Sequence, residues 1–300
     1  MKGSPIVLRI WREYLLELRE PALIGPGLNV NLPAGLRKVL HYLFITFRYL
    51  TTFFFFKPLA WLILHLITDF RVKGRENLPE EGGFVGTWNH LSNFDAMVGT
   101  LLSPRPPLVM TKYEYFKTPI LGGVAMLLGG FPVKRGTADR QAVKTSLAVV
   151  KRKQILGIYP EGTRSKTFQL QDPQPGAAMI ASSSGAQVLP LGIAGTENIM
   201  RRKKLGFLTR PRVVVSIGKL YSLKEAAAAF ALEHNLPASG KRGKHDDLDF
   251  LSDIMMLKIA EILPPEYRGH FTPEAVAERY RQRVAEKASK VANQEMTSLN

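Results

Sequence analysis

Phe84-Val85-Gly86-Thr87-Trp88-Asn89-His90-Leu91-Ser92-Asn93-Phe94-Asp95 reads as an uncharged strand, a polar turn and the opening of a helix that continues to Leu102. A strand feeding a helix through a short turn is the first half of a βαβ unit. The same alternation continues downstream. Strands are predicted at Phe84–Trp88, Leu108–Met110, Phe131–Val133, Ile155–Tyr159, Gln187–Leu191 and Val213–Ile217. Between them the pattern predicts helices at Phe94–Leu102, Pro119–Leu128, Arg140–Val150 and Gly176–Ser184. The implied fold is α/β, a largely parallel central sheet flanked by helices.

The turn carries chemistry. A histidine titrates near neutrality and can accept a hydroxyl proton, and a carboxylate on its other ring nitrogen fixes the tautomer. On one continuous helix His90 and Asp95 would stand about 140° apart and would not meet. They meet if His90 lies on the turn after the strand and Asp95 in the first helical turn, with Asn93 or Ser92 as N-cap. A second reading stays open: Ser92-x-x-Asp95 as a capping box, with His90 a polar loop residue.

A second string, Tyr159-Pro160-Glu161-Gly162-Thr163-Arg164, again follows a strand, and a third, Gly129-Gly130-Phe131-Pro132-Val133-Lys134-Arg135, ends on two cations. The planar guanidinium fork suits a phosphate monoester. Surface salt bridges would equally account for Arg135 and Arg164, and a simple turn for Gly162. Ligands of open α/β sheets bind outside the carboxyl ends of the strands, so these strings are predicted to line one mouth.

Composition narrows the chemistry. The 300 residues contain no cysteine, which excludes disulfides, thiolate zinc sites and a cysteine nucleophile. No Gly-x-Ser-x-Gly elbow is present for a serine acyl-enzyme. One histidine and a carboxylate without ligand spacing indicate no metal. Hydrophobic residues make up 45% of the chain, enough for a sizeable core. The net charge of +16 implies acidic partners such as anionic lipid, phosphorylated substrates or an acidic carrier protein. Basic clusters at 134–153 and 201–204 come with no nucleic-acid-binding motif, so no nucleic-acid partner is expected.

Residues 39–68 are the most apolar stretch, broken by Arg48 and Lys57, with Pro58 next. Its longest uncharged run, Pro58 to Thr68, is 11 residues, against the about 20 that a clean span wants. The prediction is two shorter helices lying in one leaflet, with Arg48 and Lys57 reaching the headgroups, a true span and a buried core hairpin being the alternatives. Met1–Leu16 lacks the features of a signal peptide, so entry to the membrane does not imply secretion, and the expected location is monotopic on the cytoplasmic face. Three segments are expected: 1–69 with membrane-associated helices, 70–222 as the α/β catalytic domain, and 223–300 as a solvated helical appendage. The last comprises an alanine run at Leu223–His234, a basic loop at Pro237–His245 and a charged helix at Thr272–Ala292.

Taken together, the ordered blocks Asn89-His90-x4-Asp95, Gly130 to Arg135, Pro160-Glu161-Gly162-Thr163-Arg164 and Val188-Leu189-Pro190 resemble the glycerolipid acyltransferases. The likeness runs from about Val72 to Gly218 and points to the 1-acyl-glycerol-3-phosphate (lysophosphatidate) acyltransferase branch. The lead-in Gly74-Arg75-Glu76-Asn77-Leu78-Pro79 is also similar. The resemblance implies direct acyl transfer from a thioester of coenzyme A or acyl carrier protein to the free sn-2 hydroxyl of lysophosphatidate, with no further cofactor. His90 would be the general base and Asp95 its orienting partner. Arg135 and Arg164 would hold the acceptor phosphate, Glu161, Gly162 and Thr163 would shape the acceptor site, and Lys112 would occupy a basic position of the family. The chain departs from the pattern at Pro132, where a bulky apolar residue is common, and at Pro175-Gly176, where a lysine often stands. Other acceptors remain as alternatives, glycerol 3-phosphate or another lysophospholipid, as does a lipid-binding protein without catalysis.

Overall fold

The computed structural model describes residues 34–137, 139–200, 210–237 and 247–298. Met1–Leu16, the 201–204 cluster and most of the basic loop at 237–245 lie outside the described residues. Seven strands form one sheet: β1 (Asp69–Lys73), β2 (Phe84–Trp88), β3 (Leu108–Lys112), β4 (Gly130–Val133), β5 (Ile155–Ile158), β6 (Val188–Ala194) and β7 (Arg212–Ile217). Their order is β1-β7-β6-β2-β5-β3-β4. The five strands from β6 to β4 are mutually parallel, β7 pairs antiparallel with β6, and β1 runs parallel to β7. The largely parallel α/β sheet predicted from the alternation is therefore the observed architecture.

Strands β2, β5 and β6 are buried at every position. Both faces of a parallel sheet are covered, so its central strands are apolar runs rather than alternating ones. Strand β1 was not predicted. Asp69-Phe70-Arg71-Val72-Lys73 alternates charge with hydrophobe because it is an edge, and Asp69 pairs there with Arg71 and Arg212.

Helices α1 (Ala34–Thr51), α2 (Lys57–Ile67), α3 (Phe94–Leu102), α4 (Pro119–Leu127), α5 (Arg140–Lys151), α6 (Pro175–Ser184), α7 (Glu197–Met200), α8 (Leu223–Glu233), α9 (Leu248–Ala260) and α10 (Pro273–Ser298) complete the fold. One core lies between the sheet and α5, α6, α8, α9 and α10, built around Val85, Leu156, Ile180, Phe250 and Tyr280. On the other face Leu64 of α2 and Val98 and Leu102 of α3 pack on Trp88, Leu189 and Val215.

The expected appendage at 223–300 differs from what is seen. Helix α9 is buried along nearly its whole length, with Phe250, Leu251, Met255, Met256 and Ile259 at zero exposure. Such all-round burial is what an apolar helix surrounded by protein requires. The tail thus closes the main core instead of standing in solvent. Its last helix keeps the predicted charged, solvated face.

The apolar N-terminal region also departs from the prediction. Helix α1, a π-turn at Thr52–Phe56 and α2 follow one another without a break. The Lys57 N–H reaches back five residues to the Thr52 carbonyl. Pro58 has no N–H and would clash with the carbonyl four residues back, and the wide turn accommodates it without ending the helix. Among the described residues, Thr46–Ile67 is one helix of 22 residues long and apolar enough to cross a membrane. Arg48 and Lys57 do not point outward as predicted. Arg48 is fully buried and donates to the Pro106 and Pro107 carbonyls at 3.2 Å each, while Lys57 Nζ donates to the Ser103 carbonyl. The helix is bolted along the 103–107 loop on one side and presents Leu43, Phe47, Phe54, Leu62 and Leu66 to the exterior on the other.

Candidate active site

The carboxyl ends of β2, β5 and β6 lie side by side at the centre of the sheet, where β2 has parallel partners on both flanks. That is the position at which open α/β sheets bind ligands. Asn89, just past β2, is buried and bridges to β6. Its amide donates to the Ile193 carbonyl at 2.8 Å and accepts from the Ile193 N–H at 2.7 Å. A side-chain amide thereby continues the ladder one step beyond the strand and fixes where the next residue starts.

His90 is that residue. Its Nδ1 lies 2.8 Å from Asp95 Oδ2, with the histidine side chain 12% exposed and Asp95 wholly buried. The pair forms across the strand–helix junction, as the spacing requires. Half of the capping box is present at the same time: the Ser92 hydroxyl accepts the Phe94 N–H at 3.2 Å instead of that of Asp95. Asp95 Oδ2 also accepts the backbone N–H groups of Leu91 at 2.6 Å and Ser92 at 2.7 Å. Asn93 occupies the N-cap position but makes no side-chain cap. One carboxylate therefore closes the turn and holds the imidazole, leaving Nε2 on the ring edge away from Asp95.

The other oxygen, Asp95 Oδ1, accepts the Thr196 hydroxyl at 2.6 Å and, more loosely, the Ser92 hydroxyl at 3.4 Å. Thr196 is fully buried on the loop after β6. Tyr159 at the end of β5 stacks under the imidazole, with ring centroids 4.0 Å apart, and meets the Trp88 ring edge-on at 5.6 Å. Burial pushes the Tyr159 phenol far above its usual range, so it is a neutral floor to the site. Trp88 itself lies flat on the sheet because three glycines clear a slot for it. A Cβ on Gly86, Gly157 or Gly99 would stand 2.6, 2.8 or 3.1 Å from the indole.

The 159–165 turn clamps His90 from the opposite side. Glu161 Oε1 accepts the His90 N–H at 2.8 Å, and the Ser165 N–H donates to the His90 carbonyl at 2.8 Å. Glu161 Oε2 accepts the Gln171 N–H at 3.2 Å. Burial raises the Glu161 carboxyl to about 7, opposed by those two N–H donors and reinforced by the Asp95 charge. Gly162 turns the chain with φ of 67°, a left-handed conformation that favours glycine.

Of the predicted cations, Arg164 directly precedes Ser165 and so sits beside the His90 loop, and it is exposed, as is Thr163. Arg135 follows β4 and is close enough for its charge to lower the proton affinity of Tyr159. Among the described residues neither guanidinium has a hydrogen bond or ion pair. Lys112 ends β3 on the same edge of the sheet and lies 3.9 Å from Glu114. The structure thus brings His90 into contact with both Asp95 and Glu161, with Arg164 beside the His90 loop in the chain and Arg135 just past β4. No group of three or more metal-ligating side chains occurs among the described residues.

Thr196, Asn89 and Tyr159 as site-building residues were not predicted. Asn89 and Tyr159 stand inside the quoted strings, yet their partners come from other strands, and Thr196 had only its place after a buried strand as a signal.

An acyltransferase family model matches residues 69–194, which spans β1 to β6 and both strings. The 1-acyl-sn-glycerol-3-phosphate acyltransferase of Bacillus subtilis is 31% identical over 135 residues, 45% of this chain and 67% of that protein. The chain belongs to the glycerolipid acyltransferase family, in its 1-acyl-sn-glycerol-3-phosphate acyltransferase branch. Within this branch a chloroplastic relative from Brassica napus is 32% identical over 178 residues, 57% of this chain and 51% of that protein. The chain spans about half the length of the plant relatives it matches, 51% and 47% for the first two. A solved 1-acyl-sn-glycerophosphate acyltransferase from Thermotoga maritima aligns over 72% of this chain and 84% of that one, at 21% identity and a TM-score of 0.47. The family match ends at residue 194, two short of Thr196.

Proposed function

We propose that this chain transfers an acyl group from a thioester to the free sn-2 hydroxyl of lysophosphatidate, giving phosphatidate. The observation that carries the reading is the His90–Asp95 pair at the carboxyl end of β2, with Arg164 next to Ser165, whose N–H holds the His90 carbonyl. A mere lipid binder has no use for a tautomer-fixed imidazole. In the proposed step His90 Nε2 takes the acceptor hydroxyl proton as the oxygen attacks the thioester carbonyl. Collapse of the tetrahedral intermediate breaks the C–S bond, and the imidazolium returns its proton to the departing thiolate. Asp95 holds Nδ1–H throughout and stabilises the imidazolium.

Arg135 and Arg164 hold the acceptor phosphate, with Lys112 adding charge at the rim. Gly162 and Thr163 wall the acceptor. Glu161 acts from beneath, since both its oxygens are engaged by backbone N–H groups, and it sets the height of His90. The donor is an acyl thioester of coenzyme A or of acyl carrier protein, and no further cofactor enters. The N-terminal helix lies in the plane of a membrane, on its cytoplasmic face. Its inward stripe of Arg48, Thr52, Ala60 and Leu64 packs on protein, so the exposed side alone meets lipid.

The test measures transfer from acyl-coenzyme A to lysophosphatidate in mixed micelles, wild type beside His90→Ala, with acyl carrier protein donor and other acceptors as further arms. Loss of the general base costs about 10²–10⁴ in rate. Activity within a few-fold of wild type in the variant overturns the mechanism, and a wild type silent with every donor and acceptor overturns the function.

A further inference from the structure

We propose that the crossover between β3 and β4 is a second membrane contact, docking an anionic lipid surface beside the acceptor-phosphate cations. The crossover consists of a 3-10 turn at Tyr113–Lys117 followed by α4. Gly122 seats α4 tightly on that turn, since a Cβ there would stand 3.1 Å from the Phe116 backbone. Ile120 and Val124 lie about 160° around the helix from Gly122 and so face outward. Ile120 is 80% exposed, Leu121 53% and Val124 50%.

Around this aliphatic centre stand polar-tipped aromatics and cations. Tyr113 and Tyr115 are exposed, and the Tyr113 ring is covered by Lys117 Nζ at 5.7 Å and Lys134 Nζ at 5.3 Å. Between residues 112 and 137 the chain has four cations, Lys112, Lys117, Lys134 and Arg135, against one carboxylate, Glu114. Aliphatic side chains at the centre, tyrosines at the margin and lysines outside them match the layering of a bilayer interface, from acyl chains to anionic headgroups. An acidic protein partner would be met by the cations but would leave Ile120 and Val124 without an apolar counterpart.

The crossover packs against the protein-facing side of the N-terminal helix. Arg48 of α1 reaches the turn that ends α4, where a Gly129 Cβ would stand 3.0 Å from Arg48 Nη2. With two contacts the domain cannot roll about a single helix, and Arg135 is held at headgroup depth, where an acceptor phosphate lies. That last consequence rests on the proposed acyl transfer; the lipid contact itself does not.

Because the chain has no cysteine, single cysteines placed at Leu121, Phe54 and Glu233 can each carry one nitroxide label. Relaxation by oxygen and by a water-soluble nickel chelate then reports depth on phosphatidylcholine vesicles with and without phosphatidylglycerol. The expected result is that labels at Leu121 and Phe54 become oxygen-accessible and nickel-protected on the anionic vesicles, while the label at Glu233 stays in water. A Leu121 label that remains in water while Phe54 is immersed overturns the proposal. So does a Leu121 label protected without vesicles, which would mean residues 1–33 or a second copy cover the patch. Protection by acyl carrier protein but not by vesicles overturns it equally. In a second arm, replacing Ile120 and Val124 by serine, at exposed positions that leave the core intact, weakens vesicle binding roughly tenfold or more. Immersion retained by a wild type that forms no phosphatidate would refute the enzymatic reading and leave this one standing.

Discussion

Replacing Thr196 by valine removes one hydroxyl and nearly nothing else, yet it strips Asp95 Oδ1 of its 2.6 Å donor. The remaining donor to that oxygen, the Ser92 hydroxyl, stands at 3.4 Å. Both Thr196 and Asp95 are at zero exposure, so no water replaces the lost bond. A hydrogen bond to a charged group contributes about 1.5–3 kcal/mol, and a buried acceptor left short of donors costs a similar amount. That bond exists before the reaction as well as during it, so its whole loss appears as reduced folding stability. Only the part that lets Asp95 rotate away from His90 Nδ1 reaches the chemical step. Were half of it to do so, kcat would fall roughly three- to twelvefold, at about 1.4 kcal/mol per decade.

The assay pairs urea unfolding with steady-state kinetics on lysophosphatidate. Thr196→Val is expected to lose about 1.5–3 kcal/mol and roughly three- to twelvefold in kcat, with KM for the acceptor unchanged. Thr196→Ser, which keeps the donor, should restore kcat. A variant that loses stability but keeps wild-type kcat would show that Thr196 braces the fold alone. A rise in KM without a fall in kcat would show that the loop after β6 binds acceptor instead of orienting Asp95.

Glu161 binds its proton more tightly in the folded protein, at about 7 against an ordinary 4.5. Its contribution to stability is therefore present below about pH 4.5 and is lost as pH rises through about 7, amounting to about 3 kcal/mol. Urea unfolding of wild type and Glu161→Gln across that interval should diverge by about this amount, and parallel curves would refute the burial argument. Gly86→Ala would force the Trp88 indole off the sheet, since the new Cβ stands 2.6 Å from it. Overpacking of this kind costs about 1–3 kcal/mol, and because Trp88 meets Tyr159 and Tyr159 meets His90, the indole emission should shift together with activity. An unchanged melt and spectrum would mean that the slot is looser than its geometry.

What the sequence made legible was local. His90 and Asp95 are five residues apart, and their meeting followed from a strand, a turn and one helical turn. The parallel sheet was legible because β2, β5 and β6 are short uncharged runs set between helical patterns. Thr196 reaches Asp95 across 101 residues and Asn89 reaches Ile193 across 104, so those contacts exist only once β6 lies beside β2. Arg48 misled for a related reason. A cation in an apolar helix reads as a headgroup contact, but Pro106 and Pro107 present carbonyls on a loop beside the helix, and these are what the guanidinium binds. Helix α9 was missed because Asp249, Asp253 and Lys258 interrupt its apolar pattern. Asp253 is nonetheless buried against Arg279 and Arg283 of α10, a pairing invisible without the tertiary fold.

The tail reaches further than the core. Tyr267, in the 3-10 turn between α9 and α10, accepts the Leu170 N–H on its carbonyl and donates its hydroxyl to Glu197 Oε1, both at 2.8 Å. Leu170 is followed by Gln171, whose N–H holds Glu161, and Glu161 holds the His90 backbone. Glu197 follows Thr196, which holds Asp95. Two routes therefore leave one tyrosine and end on the two members of the proton-transfer pair. Such a pair works only when held to within about half an ångström of its productive geometry, and the 159–165 turn has no regular structure to hold itself, while the link after β6 is followed by the single turn of α7 alone. Residues beyond the family match thus supply a frame that keeps His90 and Asp95 in register: α9 is buried in the main core, and Tyr267 in the turn after it packs against that core.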